Sequence, residues 1–229
     1  RARASEQGGL GVDAYDEEFR EKYQLYEKDY KKVFKVVKAR DLWNCICDAQ
    51  IESGVPYMMY KDAVNRSSNQ KNLGTIRASN LCCEIVEFTS PEEIAVCTLA
   101  SVGLPMCLDR NITTNKLEFN FKKLYEIVRV VVRSLNQVID TTFYPVEQAR
   151  VSNMKHRPIG VGKQGLADTF AMLKLPFTSP EAMKLNREIA ETMYFAALEE
   201  SHALAVRYGA YSTFKGSPIS QGWFHFEMS

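Results

Sequence analysis

The sequence has no excess of either charge: 29 lysines and arginines face 28 aspartates and glutamates over 229 residues. A general binder of nucleic acid or of a membrane surface carries a basic excess, so neither partner is expected. No apolar run reaches the ~20 residues that a membrane-spanning helix needs. No N-terminal segment shows the basic, apolar, small-residue order of a signal peptide. Histidine is scarce, and His156, His202 and His225 are scattered, so no zinc site and no metal are expected. The six cysteines, Cys45, Cys47, Cys82, Cys83, Cys97 and Cys107, are too few and too irregular for a secreted disulfide scaffold. A chain of this length can bury a sizeable core without disulfides. The expectation is a reducing, cytoplasmic setting, where cysteines are either buried and inert or chemically used. Internal repeats and low-complexity tracts are also absent. So is a starting methionine: the chain begins Arg1-Ala2-Arg3 and stops at Met228-Ser229 after the apolar "GWFHFEM", which reads as a fragment of a longer protein.

What is present alternates between helical and extended patterns. Residues 1–12 are polar and Gly-rich and read as a linker or disordered segment. Phe19, Tyr23 and Tyr26 recur at helical spacing from Asp16 to about Tyr30. Asp41 is placed to cap a second helix that runs to about Ser53 and is ended by Gly54 and Pro56. "PYMMYKD" reads as a short buried strand, and residues 64–80, rich in Asn, Ser and Gly, as a long loop. Two strand-like runs follow, "CCEIVEFT" and "EIAVCTLASVGL", the second apolar enough to be buried on both faces. Asn120 is placed to cap a long helix with Phe121, Leu124, Val128, Val131, Leu135 and Val138 on one stripe. "RPIGVG" leads into a helix from about Gln164, and Ser179-Pro180 open another that Gly209 closes. Interleaved helices and strands predict an α/β layered or barrel architecture.

Two motifs invite chemistry but do not support it. Gly160, Gly162 and Gly165 match G-x-G-x-x-G, yet the dinucleotide fingerprint needs a hydrophobic strand directly before it and an acid after the next strand. Here Pro158 stands two residues before the first glycine, so a tight strand-to-helix turn is the better reading, with Lys163 a weak candidate for meeting an anion there. Cys45 and Cys47 lie i, i+2 on a predicted helix, where side chains do not face each other, and they read as buried structural thiols.

"SNLCCEI", Ser79 to Ile85, is different. If extended, it alternates its side chains, with Asn80, Cys82 and Glu84 on one face and Leu81, Cys83 and Ile85 on the other. The first face carries an amide, a thiol and a carboxylate: a hydrogen-bond donor, a sulfur centre and a proton acceptor. Cys83 then packs as a small hydrophobe. On the pattern alone a half-buried strand with one incidental thiol is the better reading, since three residues at period two are common by chance. Cys97, inside the apolar run "AVCTLAS", reads alone as a core cysteine.

Longer stretches change that weighting. "GVPYMMYKDAVNRSSNQKNLGTIRASNLCCEIVEFTSPEEIAVCTLAS", "KVVKARDLW", "HRPIGVGKQGLAD" and "GSPISQG" resemble the large, catalytic subunit of class I ribonucleotide reductases of the eukaryotic and viral type. The resemblance runs from about Gly11 to the C-terminus. It implies part of a ten-stranded α/β barrel with an active-site finger loop, residues 11–229 forming a partial catalytic barrel domain and residues 1–10 a linker. It implies reduction of ribonucleoside diphosphates to 2′-deoxyribonucleoside diphosphates by thiyl-radical chemistry.

By the same resemblance, Cys82 is the transient thiyl radical that takes the 3′ hydrogen of the ribose. Glu84 accepts the 3′-hydroxyl proton and Asn80 hydrogen-bonds the ribose hydroxyls. Cys97 is half of a redox pair whose partner lies outside the fragment. No cofactor is bound directly by this segment: a metal-containing small subunit supplies the radical, and ATP or deoxynucleotide effectors bind elsewhere. Thioredoxin or glutaredoxin and a second large subunit are the other implied partners, and the isolated segment is expected to be inactive. Three positions depart from the family pattern: Cys83 stands where threonine is common, Thr98 where asparagine is common, and Lys163 where the residue is often apolar. Two competing readings remain. One is a non-catalytic, truncated relative acting through protein contacts. The other is a thiol-redox or metal-binding protein built on Cys45, Cys47, Cys82 and Cys83.

Overall fold

The computed structural model describes residues 14–29 and 35–228. The linker expected at residues 1–12 lies outside them, as does Tyr30 at the end of the first predicted helix. The chain forms two compact units, one made of residues up to Ala95 together with Thr213–Ser229, the other of Val96–Ser212.

The first unit carries α1 (Asp16–Lys28), α2 (Ala39–Ser53), α3 (Lys61–Arg66) and a short α8 (His225–Met228). Helix α1 bears three acids in its first turn and Lys28 in its last, the arrangement its dipole favours. Helix α2 starts two residues before Asp41, with Lys38 at its N-cap, so Asp41 sits in the first turn and does not cap. Gly54 ends it in the left-handed conformation that glycine adopts freely. The predicted burial of Cys45 and Cys47 is not found: α2 has no buried residue, Cys45 is exposed and Cys47 half-buried. "PYMMYKD" is not a buried strand either. Residues 57–60 are exposed and pair with no strand among the described residues, and Lys61 and Asp62 already belong to α3. An apolar run becomes a strand only where a neighbouring strand takes up its backbone groups.

From Asn65 to Ala95 this unit has no regular element beyond the end of α3, and side chains take the place of a ladder. The buried amide of Asn65 accepts from Ile76 N–H (2.7 Å) and donates to Ile76 C=O (3.1 Å), as a paired strand would. Gln70 Oε1 accepts from Phe88 N–H (2.6 Å). The Phe88 ring lies so close to Gly74, which has φ +147°, that a Cβ there would stand 2.7 Å from it. Glu87 is the exception: its Oε2 is sealed from solvent with no hydrogen-bond partner, and burial pushes its carboxyl up to about 7.

The second unit is built on β1 (Leu99–Gly103), β2 (Leu108–Arg110), β3 (Leu117–Phe119), α4 (Phe121–Thr141), α5 (Glu147–His156), β4 (Gly160–Gln164), α6 (Leu166–Met172) and α7 (Pro180–Tyr208). β1 and β4 pair in parallel, with Leu99 opposite Gly160 and Gly103 opposite Gln164; β2 and β3 form an antiparallel hairpin. A parallel pair needs a long crossover, and here it runs through the hairpin, α4 and α5. β1 is not buried on both faces. Leu99 and Ser101 are exposed and Val102 is buried, because only β4 flanks it among the described residues. The glycines of "GVGKQG" have steric reasons: a Cβ on Gly160 would meet Leu99 Cδ2 at 2.4 Å, and Gly165 turns at φ +76° with Pro105 2.7 Å from its Cβ position. The tight strand-to-helix turn is made at Gly165, while Gly160 and Gly162 lie within β4. Lys163 donates to Asn186 Oδ1 (2.9 Å).

Leu124, Val128 and Val132 of α4 pack with Leu185, Ile189, Met193 and Ala196 of α7 to form the core. The buried stripe of α4 passes through Val132 and Ile139, one residue beyond the predicted Val131 and Val138. Asn120 caps α4 by accepting from Lys123 N–H (2.9 Å), and Ser179 caps α7 by accepting from Ala182 N–H (3.1 Å). Across the α4–α7 seam, Glu200 is 3% exposed and meets Arg129 Nε at 2.7 Å and Arg133 Nη1 at 3.0 Å. Helix α5 was not foreseen at all: its buried residues are Ala149, Ser152, Asn153 and His156, which form no apolar stripe.

Two outcomes follow. Glu200→Gln removes the anion that neutralises two arginines in the seam, one of them half-exposed, and should cost about 2 kcal/mol in urea unfolding. Glu87 titrates near 4.5 when unfolded and near 7 when folded, so the folded state holds the extra proton and stability falls as pH rises from 4.5 to 7. Glu87→Gln should abolish that slope. It should stabilise the protein by up to about 3 kcal/mol at pH 8 and change little at pH 4, as read from thermal melts across pH.

Candidate functional site

The finger segment Ser79–Ile85 does not run as a strand. Leu81 and Cys82 lie in a turn closed by Cys83 N–H donating to Asn80 C=O (3.1 Å), and Cys83 takes φ +65°. The period-two division of faces is thereby corrected. Asn80, Cys82 and Glu84 are all exposed, while Cys83 is half-buried and Ile85 buried. Leu81, assigned to the apolar face, is 83% exposed. Cys83 occupies the corner of a turn and not the inward face of a strand.

Two side chains clamp the base of this loop on the backbone of Ile85. The Ser79 hydroxyl donates to Ile85 C=O (2.7 Å), and Ile85 N–H donates to Asn80 Oδ1 (3.0 Å). Ile85 is buried, so both of its backbone groups need partners, and these two residues supply them. Ser and Asn bonding to a nearby backbone is the ordinary turn chemistry of these side chains. The clamp leaves Leu81 to Glu84 as a short projecting tip. It also decides the chemistry left to Asn80: with Oδ1 engaged, the part of the amide left for another partner is Nδ2, a donor.

The site thus brings Asn80, Cys82 and Glu84 together on one clamped loop of the first unit. It offers a thiol at the tip, a carboxylate two residues on, and an amide donor two residues before. Cys97 belongs to the second unit, where it stands exposed at the lead-in to β1, not in the core. Thr98, the next residue, is 7% exposed, and its C=O accepts from Gly160 N–H (3.0 Å), extending the β1–β4 ladder by one rung. Cys107 is the core thiol: it is fully buried, and burial raises its pKa, which disfavours the reactive thiolate. A cavity of about 510 Å³ in the first unit is lined by Arg66, Lys71, Gln221, Trp223 and Glu227, and by none of the loop residues. Among the described residues no three His, Cys, Asp or Glu side chains converge to hold a metal, and no helix is long and apolar enough to cross a membrane.

Ser79 was missed as a site residue. The signal was available, since adjacent Ser and Asn favour a turn over a strand.

Comparison with known proteins identifies the family. The family model described as "Ribonucleotide reductase, barrel domain" matches residues 6–229. The ribonucleoside-diphosphate reductase large subunit of Caenorhabditis elegans is 55% identical over 216 residues, covering 94% of this chain and 27% of that protein. The large subunit of Plasmodium falciparum (isolate Dd2) and large chain 2 of Saccharomyces cerevisiae are each 53% identical over 216 residues, 94% of this chain and 26% and 25% of theirs. The chain spans about a quarter of the length of these relatives. Since the match takes in nearly every residue, the chain belongs to the ribonucleotide reductase barrel-domain family.

Proposed function

We propose that this chain is the catalytic-core segment of a ribonucleoside-diphosphate reductase large subunit, and that the full protein converts ribonucleoside diphosphates to 2′-deoxyribonucleoside diphosphates. The observation that carries the reading is the clamped loop, with thiol, carboxylate and amide donor within five residues. The matched relatives are named for that activity. In this reading Cys82 carries a transient thiyl radical. Its sulfur takes the 3′ hydrogen, forming S–H and breaking C3′–H, an exchange between bonds of similar strength. Glu84 takes the 3′-hydroxyl proton and returns it to the 3′ oxygen at the end, Asn80 Nδ2 donates to a ribose hydroxyl, and the 2′ hydroxyl takes one proton from the redox thiols and leaves as water. Cys97 and a second cysteine supply two electrons and two protons and end as a disulfide, after which Cys82 returns its hydrogen to C3′. The balance is one ribonucleotide and two thiols giving one deoxyribonucleotide, one disulfide and water.

The reading brings partners with it: a metal-containing small subunit that supplies the radical, thioredoxin or glutaredoxin to reduce the disulfide, and a second large subunit as homodimer partner. ATP and deoxynucleotide effectors bind outside this segment, and the setting is cytoplasmic. A loop that is held at its base and free at its tip suits such chemistry, because misplacing a reacting atom by about 1 Å can cost a hundredfold in rate.

In the full-length protein, Cys82→Ser should abolish reduction of a ribonucleoside diphosphate, measured as deoxynucleotide formed. Undiminished turnover would leave only a role in protein contacts. Ser79→Ala, which opens one side of the clamp, should lower kcat roughly tenfold with little change in KM, and Ser79→Thr should restore most of it.

A further inference from the structure

Helix α5 buries Ser152, Asn153 and His156 where a core helix ordinarily buries Leu or Ile. A buried polar face is costly unless its groups are bonded, so its partners show what it holds. Asn153 is 1% exposed. Its Nδ2 donates to Thr98 Oγ1 (3.3 Å) and to the Tyr144 hydroxyl (3.2 Å), and that hydroxyl donates to Ile139 C=O (2.8 Å) at the end of α4. Its Oδ1 is sealed with no partner, so the site retains this amide at the expense of one orphaned acceptor. Thr98 is thus held twice, through its hydroxyl by α5 and through its C=O by Gly160 of β4. Neighbouring side chains of an extended segment point to opposite faces. With Thr98 drawn into the buried network, Cys97 is turned out, as its exposure shows.

We infer that Thr98 and Asn153 are positioning residues for Cys97: the Tyr144–Asn153–Thr98 chain fixes the lead-in to β1 and so presents the Cys97 thiol outward for its redox step. The inference rests on the role proposed for Cys97 above but adds residues that the redox pair itself does not include. Neither touches substrate, and both act through the backbone of residue 98. The pair has the geometry such a task needs. One anchor is a side-chain bond from a helix and the other a backbone bond from the neighbouring strand, so residue 98 can neither rotate nor slide along the ladder.

The test compares Thr98→Val, which keeps the shape and removes the hydroxyl, with Thr98→Ser, which keeps the hydroxyl, in the full-length protein. Two readouts are taken: the rate of iodoacetamide labelling at Cys97, located by peptide mass, and kcat and KM for a ribonucleoside diphosphate with Cys97→Ser as control. Thr98→Val should change the labelling rate of Cys97 at least threefold and lower kcat about tenfold with KM within twofold, and Thr98→Ser should stay near the parent in both. An unchanged labelling rate in Thr98→Val, or an equal change in Thr98→Ser, overturns the inference. Full turnover by Cys97→Ser would instead overturn the role given to Cys97, with the labelling rates still deciding whether Thr98 positions it.

Discussion

The first unit depends on one constraint: a backbone without a strand ladder must still bond its N–H and C=O groups wherever it is buried. Between Asn65 and Ala95 the partners come from side chains. Asn65 brackets Ile76, Gln70 takes Phe88 N–H, and Ser79 and Asn80 bracket Ile85. Each of these is an amide or hydroxyl matched to particular backbone groups, two of them in the case of Asn65, so the course of the loop is set bond by bond. Such a segment can carry a projecting tip that a regular strand could not. The turn at Leu81–Cys83 exists because the chain leaves the clamp at Asn80 and must return to it at Ile85.

The second unit solves the same problem by regular means, with apolar packing between α4 and α7 and a short parallel pair. Two polar groupings stand out in its interior. At the α4–α7 seam, Glu200 answers Arg129 and Arg133. Behind the start of β1, Asn153 answers Thr98 and Tyr144. The first sets the register of two long helices. The second lies beside a cysteine that is exposed, in contrast to Cys107, which apolar side chains enclose.

What could be read from the sequence was local. Asn120, Ser179-Pro180, Gly54 and Gly209 mark helix ends through their own side-chain and backbone chemistry, and the structure places ends there. The turn in "GVGKQG" was legible because the surrounding residues denied its glycines a nucleotide fold. Periodicity did less well. The valine run Val130-Val131-Val132 lets the stripe of α4 shift by one residue at no cost in hydrophobicity, and only packing against α7 chooses Val132. Helix α5 left no apolar signature because the face it buries is polar. "PYMMYKD" was apolar enough for a strand, but strand formation depends on a neighbour that local sequence does not describe. At the site, residue identities were legible and the geometry was not. Alternation assumed an extended backbone, while Ser79 and Asn80 bond backward and forward to make a turn.

That turn changes what Asn80 can do. An amide has an acceptor oxygen and a donor nitrogen, and in an extended strand both would be open to a sugar. Here Oδ1 is committed to Ile85 N–H, while Nδ2 has no partner among the described residues. In the proposed role the same side chain would hold the loop with one atom and meet the substrate with the other, and the two roles would be coupled. In that role, a pull on Nδ2 from a ribose hydroxyl would also pull on the bond to Ile85 N–H, at the base of the loop that carries Cys82. An aspartate in its place could keep the clamp, since it still offers an acceptor to Ile85, but it would present a second acceptor where the proposed role calls for a donor. Asparagine would satisfy both demands of the proposed role at once, because its two ends differ in hydrogen-bonding sense and the clamp engages the acceptor end.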